Sequence, residues 1–133
     1  MKRTKQREII MNVIERMKRE KLHYKVEDVY LLLKKEGCSV NLSTIYRNFN
    51  ELVEKGVLLK FLLSDGTAIY DANVFRHAHF RCLRCGKIED LMLEEIGFDF
   101  QEDTFREKGI KLSNISVVFE GICSDCLEEN KLN

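Results

Sequence analysis

Two cysteine pairs, Cys82-x2-Cys85 and Cys123-x2-Cys126, are separated by 37 residues in a chain of only 133. Four thiolates at that spacing read as a closed tetrahedral zinc site. Two disulfides are the alternative. However, Met1 is followed by Lys2 and Arg3 with no apolar segment of the kind that directs export, so the expected location is a reducing cytoplasm where thiols stay free. Gly86 directly follows Cys85, and a glycine there lets backbone amides turn toward the sulfurs and stabilise their charge. A zinc ion held by four cysteines has no open position for substrate or water, so its role is to hold structure.

A zinc staple suits the size of the chain. With 133 residues, 44% of them hydrophobic, it can bury one good core or two small ones, and a small second domain needs a covalent or metal brace. No apolar run approaches the roughly 20 residues that span a bilayer, so no membrane partner is expected. The net charge of zero hides an asymmetry. Residues 1–60 carry 14 Lys+Arg against 8 Asp+Glu, a balance of +6, and residues 61–133 carry 8 against 14, a balance of −6. A basic first half suits a polyanion such as DNA, and an acidic second half would be repelled by phosphates. Ordinary solvated helix faces would give the same count, so charge alone decides nothing.

Hydrophobic periodicity organises the first half. Ile9, Ile10, Val13, Ile14 and Met17 recur at helical spacing after Thr4, a candidate N-cap. Val26, Val29, Tyr30 and Leu33 repeat as a second helix closed by Gly37, and Ile45, Phe49, Leu52 and Val53 make the buried stripe of a third, ended by Gly56. Val57 to Leu63 and Thr67 to Tyr70 then flank Ser64-Asp65-Gly66, a hairpin turn. Three helices and a hairpin make a winged helix-turn-helix. The outward side of its third helix offers Ser43, Thr44, Arg47, Asn48 and Asn50, with Tyr46 near the edge, to phosphates and base edges. Any solvent-facing helix could carry the same polarity.

Residues after Asp71 read as a second unit. Strands are expected around Phe80-Arg81-Cys82 and from Lys87 to Leu91, a helix within Glu94 to Lys108 despite Gly97, and a strand from Leu112 to Phe119. The whole is α+β: an N-terminal winged helix-turn-helix DNA-binding domain over 1–71, a hinge at 72–76, and a small zinc-stapled α/β dimerisation and metal-binding domain over 77–133. His77 and His79 alternate, which points both imidazoles to one face of a strand, with Asp71 upstream and Asp90 after the knuckle. Imidazoles with carboxylates form a harder site than thiolates, suited to Fe(II), Mn(II) or Zn(II). Each residue also has an ordinary reading: two solvent-facing strand histidines, a turn former, a surface charge. His23, between the first two helices, is by itself more often a surface residue or cap than a ligand.

The chain resembles the ferric uptake regulator (Fur) family of metal-sensing repressors. The resemblance runs through Arg3-Thr4-Lys5-Gln6-Arg7, His23 before Val26-Glu27-Asp28-Val29-Tyr30, Ser43-Thr44-Ile45-Tyr46-Arg47, His77-x-His79-x2-Cys82-x2-Cys85-Gly86-Lys87 and Gly121-x-Cys123-x2-Cys126. It implies a homodimer, paired through the C-terminal domains, that reads double-stranded operator DNA with two-fold-related half-sites. Carried over by position, DNA contacts fall to Arg3, Gln6, Arg7, Ser43, Thr44, Tyr46, Arg47 and Asn48. A regulatory Fe2+ or Mn2+, or Zn2+ in purified protein, falls to His23, Asp71, His77, His79 and Asp90, beside the structural Zn2+ of Cys82, Cys85, Cys123 and Cys126. No small-molecule substrate and no enzymatic activity are implied.

Asp71 stands where the zinc-uptake branch is expected to have cysteine, and Asp90 where iron-uptake regulators tend to have glutamate. The ligand set therefore resembles the peroxide-sensing (PerR-like) branch, in which Fe(II) with peroxide oxidises a ligand histidine, here His23 or His77. Iron-uptake and zinc-uptake regulators are the alternatives within the family. Arg76, Ala78 and Ile115 depart from the positions that build a further His/Asp-rich site in many iron regulators, so that site is expected to be absent. Cys38 reads as a small buried apolar residue. Outside the family, the competing classes are a constitutive zinc-stabilised adaptor and a mononuclear iron enzyme using two His and a carboxylate, for which no substrate motif is evident.

Overall fold

In the computed structural model, residues 3–74, 77–97, 102–112 and 115–132 are described, with the backbone alone for Arg3, Thr4, Glu102 and residues 130–132. The chain divides into two units, Met1–Val74 and Phe75–Asn133.

The first unit contains α1 (Arg3–Glu20), β1 (His23–Tyr24), α2 (Val26–Lys35), α3 (Leu42–Glu54), β2 (Leu59–Leu62) and β3 (Ala68–Asp71). One core gathers the apolar stripes of all three helices: Ile10, Val13, Ile14 and Met17 from α1, Val26, Val29 and Leu33 from α2, and Ile45, Phe49 and Leu52 from α3. Residues spaced three and four apart share a helix face, so these stripes meet once the helices pack. α1 already includes Thr4, which places Thr4 inside the first turn and not at the N-cap. α2 stops at Gly37, whose φ of +79° lets the Cys38 N–H reach back to the Leu33 carbonyl at 2.8 Å. That i to i−5 bond is a Schellman end, and its left-handed residue favours glycine. α3 starts at Asn41, whose side chain accepts the Thr44 N–H at 3.0 Å and so satisfies one of the helix's open donors.

The sheet order is β1-β3-β2, antiparallel throughout. The expected hairpin forms around Asp65, whose Oδ1 accepts the Thr67 N–H at 2.9 Å, although both strands are shorter than the apolar runs. β1 is an addition. His23 does not sit in a simple inter-helix turn; it pairs with Asp71, and Tyr24 pairs with Tyr70.

The second unit contains β4 (Ala78–Cys82), β5 (Ile88–Leu91), α4 (Glu102–Glu107), β6 (Val118–Gly121) and α5 (Ser124–Leu132). β4 is central, antiparallel to β5 and parallel to β6. Parallel neighbours need a long crossover, and the segment carrying α4 supplies it. The helix expected within 94–108 is reduced to Glu102–Glu107, with turns around Gly97 and residues 98–101 outside the described set. The final strand begins at Val118, later than the expected Leu112, because its register is set by pairing with His79 to Cys82. α5 was not anticipated. Among the described residues here, a buried cluster joins Cys82, Cys123 and Cys126 with Phe80 against it, and a core built around cysteines suits a metal brace.

Candidate functional site

The four expected cysteines converge. β4 ends on Cys82, the Cys82–Lys87 turn presents Cys85, and the β6–α5 junction brings Cys123 and Cys126. Cys82 Sγ lies 3.7 Å from Cys126 Sγ, and Cys85 Sγ lies 3.8 Å from Cys123 Sγ. A disulfide requires about 2.05 Å, whereas a tetrahedron with Zn–S bonds of about 2.3 Å has edges of roughly 3.8 Å. The sulfur geometry therefore fits zinc. Gly86, at φ +78°, closes the turn through a 2.9 Å bond from its N–H to the Cys82 carbonyl. The N–H groups of Cys85 and Cys123 both donate to Cys82 Sγ at 3.4 Å and lower its thiol to about 6. Hydrogen bonding with Cys123 and burial push Cys126 up to about 12. Four such sulfurs cannot all ionise unless a cation joins them.

Each unit, taken by itself, gathers nitrogen and oxygen donors. In the first, register pairing of β1 with β3 sets His23 Nε2 3.3 Å from Asp71 Oδ2, and Asp71 Oδ1 accepts the Asn73 N–H at 2.9 Å. In the second, Nε2 of His77 and Nε2 of His79 lie 3.3 and 3.5 Å from the same oxygen, Asp90 Oδ1. His79 faces Asp90 across the β4–β5 ladder. The two imidazole side chains are only 1% and 4% exposed, so the solvent-facing reading of these histidines is set aside. Ligand bonds of about 2.1 Å give donor separations of roughly 3.0 Å in an octahedron and 3.4 Å in a tetrahedron. Both groups fall near that range, and the donor set suits a borderline divalent metal.

The outer face of α3 is partly as expected. Ser43, Tyr46, Arg47 and Asn50 are exposed. Thr44 is not: it is 8% exposed, and its hydroxyl donates to Asn41 Oδ1 at 2.7 Å. The helical stripe that buries Ile45 and Phe49 is wide enough to take Thr44 with it. Asn48 is half-buried, donating to the Thr44 carbonyl at 2.8 Å and accepting from Arg7 Nη1 at 3.2 Å. Arg7 also reaches Glu51 at 3.4 Å. Gln6 is half-buried on α1, and the Arg3 side chain lies outside those described. Sequence reasoning missed Glu27, whose Oε1 accepts the Tyr46 hydroxyl at 2.7 Å. That bond holds the Glu27 carboxyl below the usual carboxylate range and raises the Tyr46 phenol. Only the crossing of α2 and α3 reveals it. Cys38, expected to be buried, is half-buried against the core.

A family model described as the ferric uptake regulator family matches residues 1–120. The ferric uptake regulation protein of Bacillus subtilis (strain 168) is 33% identical over 129 residues, covering 94% of this chain and 85% of that protein. The solved ferric uptake regulator from Francisella tularensis with iron has the same fold, with TM-score 0.73 at 23% identity over 96% of this chain and 95% of its own. The Campylobacter jejuni peroxide stress regulator has TM-score 0.67 at 29% identity over 92% and 90% of the two chains.

Proposed function

This chain belongs to the ferric uptake regulator family, and from that premise we propose that it is a homodimeric repressor switched by one metal ion that draws ligands from both units. As a member of the family it is a metal-dependent, DNA-binding transcription regulator and not an enzyme. The structural Zn2+ belongs to Cys82, Cys85, Cys123 and Cys126. The regulatory Fe2+ or Mn2+ belongs to His23 and Asp71 together with His77, His79 and Asp90.

The observation that carries this reading is the convergence of two buried imidazoles on one Asp90 oxygen, next in sequence to thiolates that are already coordinatively complete. Each unit alone offers two or three donors, fewer than a hexacoordinate ion takes. Asp71 and His77 are six residues apart, so the chain holds the two sets within about 20 Å even fully extended. Residues 72–76 would be the hinge. A metal that prefers the closed arrangement by about 3 kcal/mol shifts its population by roughly 150-fold, presenting the two α3 helices of a dimer to two-fold-related half-sites in cytoplasmic operator DNA. Exposed Leu83, Met92, Phe119 and Leu127 on the second unit support pairing of two copies there, because apolar surface of that kind marks interfaces.

The test is selection from a random duplex pool with zinc-loaded protein in Mn2+ and in its absence. A two-fold-related sequence should be enriched with Mn2+ and bind at least tenfold more weakly without it, and Arg47→Ala should abolish enrichment. Equal enrichment in both arms supports the constitutive zinc-stabilised adaptor instead.

Within the family, peroxide sensing is the branch we favour, on the Asp71 and Asp90 carboxylates. Fe(II) held by these ligands would activate peroxide and be returned as Fe(II), so that in the net reaction one peroxide oxygen would enter a ring C–H bond of His23 or His77 and the other would leave as water. Mass spectrometry of peptides spanning these residues, after peroxide with Fe2+ and with Mn2+, should find one added oxygen with Fe2+ alone. Unmodified peptides in both would indicate iron or manganese sensing.

A further inference from the structure

We propose that Tyr70 is a positioning residue through which the His23–Asp71 half of the regulatory site sets the orientation of α3, a role that rests on the metal-switched reading above. Tyr70 and Asp71 are consecutive on β3, so their side chains leave the strand on opposite faces. Asp71 turns to His23, with 3.3 Å between Oδ2 and Nε2. Tyr70 turns into the core and is 0% exposed. Its hydroxyl donates to Asn50 Oδ1 on α3 at 2.7 Å, and its ring packs in a T-shaped arrangement with Phe49, also on α3, with centroids 5.1 Å apart.

The rest of the arrangement makes that contact stiff. β3 is the middle strand, and Tyr70 is paired on one side with Tyr24 and on the other with Lys60. A side chain fixed at its backbone by two neighbours and surrounded by close-packed core cannot absorb a strand shift by sliding. It passes the shift on. Asn50 follows Tyr46 by four residues and Arg47 by three, so it occupies the same side of α3 as the two exposed residues expected to meet DNA. The Tyr70–Asn50 bond therefore fixes the rotation of α3 about its own axis. The same strand that carries a metal ligand thus also carries the tether of the reading face.

The test uses full-length, zinc-loaded protein and the duplex enriched in Mn2+. Tyr70→Phe removes the hydroxyl and keeps the ring. Expected is a melting temperature near wild type and Mn2+ affinity without DNA within threefold of wild type, but a Mn2+-induced gain in DNA affinity reduced by about fivefold, the scale of one hydrogen bond. In an Asn50→Ala background, Tyr70→Phe should reduce the gain no further, since the bond is already gone. A gain equal to wild type in Tyr70→Phe overturns the proposal, as does an equal loss of DNA affinity with and without Mn2+, which would make Tyr70 merely structural. A wild type whose DNA affinity ignores Mn2+ overturns the metal-switched reading itself, and so is distinguishable from either failure.

Discussion

At the scale of single residues, the exposed side of α3 divides into groups held by the protein and groups left for a partner. Thr44 and Asn48 are spent on Asn41 and on the Thr44 carbonyl, whereas Arg47 is exposed at the centre of the face. Replacing Arg47 by Ala should weaken DNA binding tenfold or more while leaving zinc content and oligomeric state unchanged, measured by fluorescence anisotropy and gel filtration. Tyr46 is tethered to Glu27, and the sign of its pH dependence follows from the lowered Glu27 carboxyl. A carboxyl depressed in the folded state stabilises above its unfolded value, about 4.3, and that contribution is lost as pH falls through the lower folded value. Glu27→Ala should thus be less stable than wild type in urea at pH 7, and the difference should shrink below about pH 4. A difference that persists there would mean that the carboxylate charge is not what holds Tyr46.

Among the elements, α1 to α3 and strands β2 to β5 were legible, whereas β1, β6 and α5 were not. The stripes of α2 and α3 and the glycines after them are local signals, and the helices end where those signals say. α3 begins on Asn41, a cap that the apolar stripe does not reveal. Asn41→Ala removes the acceptor for the Thr44 N–H and hydroxyl and should cost about 1 kcal/mol, seen as a lower urea midpoint with an unchanged slope. β1 has only two residues and carries no period at all. It exists because β3 offers it a ladder, which is a non-local fact. β6 and the crossover ahead of it were misplaced for the same reason, and α5 because its sequence after Cys123 is polar and lacks an apolar stripe.

For the whole molecule, the two units depend on different forces. The first has a continuous apolar core drawn from three helices and needs no metal to bury it. Among the described residues, the second gathers three buried cysteines with one phenylalanine against them, and structural zinc supplies folding free energy of about 10 kcal/mol or more in small domains. Stripping zinc under reducing conditions should therefore abolish the β-sheet signal and dimerisation of the second unit while the helical signal of the first persists. Circular dichroism and sedimentation would show this, and cooperative loss of both units would refute it.

The sequence by itself determined the four-cysteine cluster and the winged helix-turn-helix, because both are written in spacing: two short cysteine pairs, three helical periods, a turn flanked by apolar runs; the family came through the resemblance of its ordered motifs. It also supplied the candidate ligands His23, Asp71, His77, His79 and Asp90, but not their pairing. Only the tertiary structure decided that His23 faces Asp71 and that His77 and His79 share one oxygen of Asp90. Only it could show that Thr44 is buried and that Tyr70 ties the strand of Asp71 to the reading helix. Those contacts join residues far apart in the chain through strand register and helix crossing, and neither quantity is encoded in the local pattern of either partner.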